Sequence, residues 1–334
     1  MALRPGPRNL ITDVEGITVG NAGDARLRSG VTAIVPTRPM LCAVDVRGGA
    51  PGTRETDALD PVTLTERVDA VVLSGGSAFG LEAAGGVMGW LAAEGRGFRV
   101  GSALVPIVPA AILFDLLNGG EKGWGETSPY AALGRAAGIA AGVTFPLGNA
   151  GAGLGTKAGA LKGGLGSASA VSEDGMQVGA LVAVNSRGDT TMPGSACFWA
   201  WALARAGEVG EQRPPTGALE LPEPEQPSHQ IAANTTIGVV ATNAKLSKAE
   251  ARRVAIMAQD GFARAIRPIH TPYDGDSVFV LAGGSWPLPE PRPYSLMRIG
   301  AAAADCMARA VMRGVYEAES LGELAAYRER FRKR

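Results

Sequence analysis

The chain has 334 residues, 46% hydrophobic and 19% charged, with a formal net charge of zero. That length can bury a substantial core, as one large domain or two ordinary ones. The balanced charge gives no footprint for nucleic acid or an anionic membrane surface, and 5% aromatics are too few for base-stacking platforms.

Short β-branched runs recur early, at residues 31–36, 41–46 and 69–75, each bounded by Gly, Pro or charge as buried strands are. Residues 77–95 then read as a buried helix; Glu82 and several glycines argue against a membrane span. PAAILFDLLN (109–118) suits a short helix opening at Pro109, and 130–142 a third helix of small residues. Glycine, 47 residues in all, clusters most densely in 148–171. GSASAVS, the turn Glu173-Asp174-Gly175 and 176–185 form a hairpin pattern.

Residues 207–230 hold five prolines, few large apolar side chains and excess acid, so they are expected to be a mobile surface segment. Order returns at TTIGVVAT. Ser247 and Glu250 form a capping box that opens a helix to about Ile266. A strand follows at 274–283, a long helix at 295–318, and a basic helical tail with a solvated face. The segment divides the charge: 235–334 carry 15 Lys+Arg and 10 Asp+Glu, a net of +5, which leaves −5 for 1–234.

Cys42, Cys197 and Cys306 are far apart and odd in number, and only His229 and His270 are present. These supply neither a disulfide framework nor a His-rich zinc centre, which fits a reducing, cytoplasmic setting. The N-terminal residues lack the apolar stretch of a signal peptide. Asn234-Thr235-Thr236 matches a glycan acceptor, but that compartment removes the reading. GAGLGTK lacks the phosphate-loop spacing, and the Ser in LSGGSAFG has no His–acid partner.

The Asn234-Thr235 bond stands between the loose segment and a buried strand. Hydrolysis there would leave Thr235 as a new N-terminus. An α-amine titrates near 7.7–8.0, so such a threonine carries its own general base and needs no histidine. Asp274 and Asp276 straddle one glycine, a spacing that puts both on one side of a strand.

VRGGAPGTRETD (46–57), LSGGSAFGLEAAGGVM (73–88), LKGGLGSAS (161–169), VAVN (182–185), NTTIGVVATNA (234–244) and DGDSVF (274–279) occur in this order across nearly the whole chain. In these motifs the chain resembles the L-aminopeptidase/D-esterase and β-aminopeptidase family of self-cleaving N-terminal-nucleophile hydrolases. The Asp-Gly-Asp and the Thr nucleophile resemble its nylon-oligomer (6-aminohexanoate oligomer) endohydrolase branch most. The resemblance implies a single αββα sandwich over 1–334, cut into 1–234, with a tail of about 207–233, and 235–334. It also implies a homotetramer of cleaved protomers and an amidohydrolase with no metal or organic cofactor. By motif, Thr235 would be the nucleophile, Asn234 the residue left behind and Asn185 the oxyanion donor. Lys162 would lie near the nucleophile. Asp274 and Asp276 would orient the Thr235 ammonium or pair with Lys162, and Tyr130 would match an active-site tyrosine. Substrates would be small peptides, amino-acid amides or esters, β-peptides or ω-amino-acid oligomers. Acyl transfer of the ornithine acetyltransferase type, or a non-cleaving metabolite-binding role, are the alternatives.

Overall fold

The computed structural model of the chain describes residues 3–205, 207–221, 223 and 234–332. Two sheets face each other. One runs in the strand order Ile17–Asp24, Ser29–Pro36, Val71–Ser74, Ala110–Ile112, Thr53–Arg54. The other runs Gly164–Val171, Gln177–Val184, Ile237–Ala244, Ser277–Trp286, Met40–Val46, Arg67–Val68. A core of Val19, Ile34, Leu73, Leu181, Val239 and Phe279, among others, fills the space between them.

Helices cover both outer faces. α1 (Glu82–Ala93) and α2 (Tyr130–Ile139) close the five-stranded sheet over Val31, Ala33 and Val72. α3 (Lys248–Ala265) and α4 (Arg292–Glu317) close the six-stranded sheet over Val182, Val240 and Val280. The result is a four-layer αββα sandwich, as the sequence motifs implied. Because the central strands carry helices on one side and a second sheet on the other, Ile237–Ala244 is buried at every position. That explains its apolar run from Ile237 to Ala241.

α4 lies unusually near its sheet. A Cβ on Gly166 would fall 1.9 Å from the carbonyl oxygen of Ala310, and Gly314 packs back against the amide of Gly166. The small residues of 164–170 therefore permit helix-to-sheet contact at backbone distance. α3 opens with the expected capping box, Ser247 accepting from the Glu250 amide and Glu250 from the Ser247 amide.

Two expectations fail. Residues 109–118 contain no helix. Ala110–Ile112 are a buried strand lying parallel to Val71–Ser74. Their uniform hydrophobicity suits a buried strand or a buried helix equally, so periodicity gave no signal. The acidic, proline-rich segment is not loose from its start. Glu208 and Val209 are buried, the Glu208 carboxylate is gripped by Arg309 of α4 and by Asn9, and Gln212 bonds Phe198 and Tyr327. Composition gave no warning because the partner lies about a hundred residues away. The rest of the expected tail, 224–233, falls outside the described residues. Among the described residues no helix is long and apolar enough to cross a membrane.

Candidate active site

Sheet topology brings three distant motifs together at one end of the central strands of the six-stranded sheet. Ile237–Ala244 and Ser277–Trp286 run parallel with Ile237 opposite Ser277, so the residues preceding both strands meet, and Asn234 bridges Asp274. On the other flank Gln177–Val184 runs antiparallel with Ala183 opposite Ile237, so its next residues, starting with Asn185, pass beside Thr235. The Thr235 amide donates to the Asn185 carbonyl oxygen at 2.7 Å.

Thr235 is buried, and its hydroxyl donates to the carbonyl oxygen of Asn234 at 2.5 Å. The same oxygen accepts the amide N–H of Gly275 at 3.3 Å. Two donors thus converge on the carbonyl of the Asn234-Thr235 bond, one of them the hydroxyl that follows it. A backbone donor at that oxygen can stabilise charge developing there. The neighbouring hydroxyl, Thr236 Oγ1, is buried with no partner among the described residues, and its backbone N–H goes to Asp276 Oδ1 at 2.7 Å.

The two aspartates do different work. Asp276 is fully buried and holds Thr236 through one oxygen. Through the other it accepts the amide of His270 at 3.0 Å and faces His270 Nδ1 at 2.9 Å. Asp274 turns the other way and accepts the amide and hydroxyl of Thr271 through Oδ2. Its Oδ1 is buried without a partner among the described residues. Burial, reinforced by the charge on Asp276, raises the pKa of Asp274 above the usual carboxylate value.

Lys162 is not a loop-surface lysine. It is fully buried, and its ammonium donates to the carbonyls of Gly153 at 3.0 Å and Gly163 at 2.9 Å. Burial pulls its pKa down to about 7, against the opposing pull of the Asp115 carboxylate. The expected pairing with Asp274 or Asp276 does not occur among the described ion pairs. The short hairpin of Lys157–Ala158 with Leu161–Lys162 sends the side chain toward Gly153 and the Asp115 side instead. Tyr130 is buried at the start of α2, and its hydroxyl lies 2.9 Å from Ser29 Oγ, which donates to Asp115 at 2.6 Å. Among the described hydrogen bonds it meets Asp115 through Ser29.

Asn185 joins this centre to a cavity of about 570 Å³. Its Oδ1 accepts from the Lys157 amide and its Nδ2 donates to the Phe114 carbonyl, which uses one of two amide hydrogens. Asp115, Lys157, Leu321 and Leu324 also line the cavity.

A family model described as peptidase family S58 matches residues 9–327. The chain belongs to peptidase family S58. It is 46% identical to an uncharacterized aminopeptidase of Mycobacterium tuberculosis, over 97% of this chain and 98% of that one. It is 31% identical to a 6-aminohexanoate-oligomer endohydrolase of a Kocuria strain, over 92% and 86% of the two chains. Among solved structures it resembles a Burkholderia β-aminopeptidase with a TM-score of 0.71 at 22% identity, covering 98% of this chain and 91% of that one. It resembles the L-aminopeptidase D-Ala-esterase/amidase of Ochrobactrum anthropi, described as a variant of the Ntn hydrolase fold, with a TM-score of 0.71 at 22% identity, covering 96% and 90%. As an S58 peptidase it is a hydrolase of peptide or amide bonds on the N-terminal-nucleophile fold.

Two contributors to this S58 site escaped sequence reading. Gly275 acts through its backbone amide, which no side-chain motif reveals, although its place between the two aspartates marked the spot. His270 was set aside because a terminal threonine needs no histidine. The only signal for it was the six-residue spacing to Asp276.

Proposed function

We propose that the chain matures by cutting its own Asn234-Thr235 bond and then works as an amidohydrolase of aminopeptidase type with Thr235 as its N-terminal nucleophile. The observation that carries this reading is the Thr235 hydroxyl, 2.5 Å from the Asn234 carbonyl oxygen, with the Gly275 amide on that same oxygen. Attack of Thr235 Oγ1 on the Asn234 carbonyl carbon forms an ester as the C–N bond breaks. The hydroxyl proton ends on the Thr235 nitrogen. Water then hydrolyses the ester, leaving a carboxylate on Asn234 and a free amine on Thr235.

In turnover that amine takes the hydroxyl proton while Oγ1 attacks a substrate carbonyl. The Asn185 carbonyl, already 2.7 Å from the Thr235 nitrogen, keeps the amine in place. The remaining Nδ2 hydrogen of Asn185 serves the oxyanion. Lys162, buried and close to neutrality, and Asp276, which holds the Thr236 amide, set the electrostatics behind the nucleophile. The substrates are small peptides, amino-acid amides or esters, β-peptides or ω-amino-acid oligomers. The aminopeptidase and endohydrolase relatives support that range.

Variants at the two threonines test it. Thr235→Ala should stay as one chain and should not hydrolyse amino-acid p-nitroanilides. Thr236→Ala should still split. Normal splitting of Thr235→Ala, or loss of splitting only in Thr236→Ala, would assign the wrong hydroxyl.

A further inference from the structure

The cavity beside Asn185 is lined by a cation, Lys157, that no described residue pairs. Lys157 is half-buried on its wall, and its backbone amide is tied to Asn185 Oδ1 at 3.1 Å, which fixes where the side chain starts relative to the candidate oxyanion donor. Its ammonium makes no hydrogen bond or ion pair among the described residues. Neither cavity carboxylate bonds this ammonium among the described residues: Asp115 is buried and spends one oxygen on Ser29 and the other on the Gly76 amide, and Glu323 is exposed in the turn bridged by Leu321 and Leu324. Burial, and then the neighbouring charge of Arg187, push the Lys157 pKa below its ordinary value, so the ammonium sits in a site that disfavours positive charge. A second cation, Arg28, lines the same cavity, with one guanidinium nitrogen on the Asn118 carbonyl at 3.0 Å. A half-buried ammonium with no anion bonded to it among the described residues costs free energy until one arrives.

We propose that Lys157 is a specificity-determining residue that binds a carboxylate of the substrate, so that the preferred substrates are short amides carrying a carboxylate close to the scissile bond. This rests on the reading of the centre as an amidohydrolase. The carboxylate has two possible sources: the free C-terminus of the leaving group, as in a dipeptide or a linear amino-acid oligomer, or an acidic side chain on the acyl residue. Arg28, on the same cavity, adds to the positive field. The position of the charge, in a cavity that also presents Phe114, Leu321 and Leu324, lets one group discriminate a carboxylate from its amide. A hydrogen bond to an ionised partner in a partly desolvated site is the interaction whose loss is felt most.

The test uses the mature enzyme and two matched substrate pairs. The first pair is a dipeptide as free acid and as C-terminal amide. The second is an aspartyl and an asparaginyl p-nitroanilide. Wild-type enzyme should prefer the acid in one pair at least tenfold in kcat/KM, mainly through KM, and the preference should shrink with added salt. Which pair shows it identifies the source. Lys157→Gln should reduce that acid-to-amide ratio about tenfold or more, and Lys157→Arg should restore most of it. No acid preference in either pair, or a preference that Lys157→Gln leaves intact, overturns the proposal. Self-cleavage of each variant is followed on the same samples. Failure of the wild-type chain to split or to hydrolyse any of the four substrates would count against the amidohydrolase reading itself and not against Lys157 alone.

Discussion

Adding one methyl group at Gly275 should slow maturation without replacing any functional side chain in the site. A Cβ built there lies 2.8 Å from Thr235 Oγ1, 3.1 Å from Thr235 Cγ2 and 2.9 Å from the Ala50 carbonyl oxygen. Ordinary contact begins near 3.4 Å, so the hydroxyl must retreat by about 0.6 Å or the strand start must shift. The Ala50 carbonyl blocks the opposite direction, because the loop at 47–50 is pinned by its own bonds to the Asp274 and Asp276 carbonyls. A misplacement on the order of 1 Å in a reacting group costs about a hundredfold in rate. Gly275→Ala should therefore split roughly tenfold to a hundredfold more slowly. The assay is the appearance of the two pieces on a denaturing gel at fixed temperature, with circular dichroism on the same sample. Overpacking costs about 1–3 kcal/mol of stability, so the precursor should remain folded. A folded Gly275→Ala chain that splits at the parent rate would refute the claim that the Thr235 hydroxyl must sit on the Asn234 carbonyl.

Two further outcomes follow from buried charge. Lys162 titrates near 7 when folded against 10.5 for an ordinary lysine, so between those values the unfolded chain binds more protons and stability rises with pH. The cost of its charge is fully present below about 7 and is relieved toward 10.5. Lys162→Met should therefore gain most in Tm relative to the parent at pH 6, with the gain shrinking toward pH 10. A pH-independent difference would contradict the burial account. Glu208 and Arg309 form a buried ion pair, 6% and 2% exposed. Removing one charge by Glu208→Gln strands the other and should cost about 3 kcal/mol in urea unfolding. A loss below about 1 kcal/mol would show that the pair contributes little to holding the segment after residue 205.

The sequence carried the site's inventory better than its wiring. Thr235, Asn185, Asp274 and Asp276 lie on motifs quotable by eye, and the parallel pairing of two strands brings them together. The order of a chain does not reveal that pairing, so the partners of each group stayed open. Lys162 was expected near the nucleophile, with pairing to it one of two roles for the aspartates, and a two-residue hairpin aims it at backbone carbonyls on the Asp115 side. Tyr130 matched poorly in its surroundings and turns out to be two bonds removed from the cavity. The strand Ala110–Ile112 hid because a fully buried element has no polar face to set a period. Glu208 hid inside a stretch whose average composition is that of a loop, since a single long-range ion pair leaves no mark on local composition. The capping box, the hairpin at 164–184 and α4 were legible because their signals are local.

Intact mass measurement with N-terminal sequencing of the purified chain tests the central claim most directly. The account predicts two pieces, of 234 and 100 residues, the smaller beginning Thr-Thr-Ile-Gly. A single species of 334 residues after long incubation, or a cut at any other bond, would contradict it.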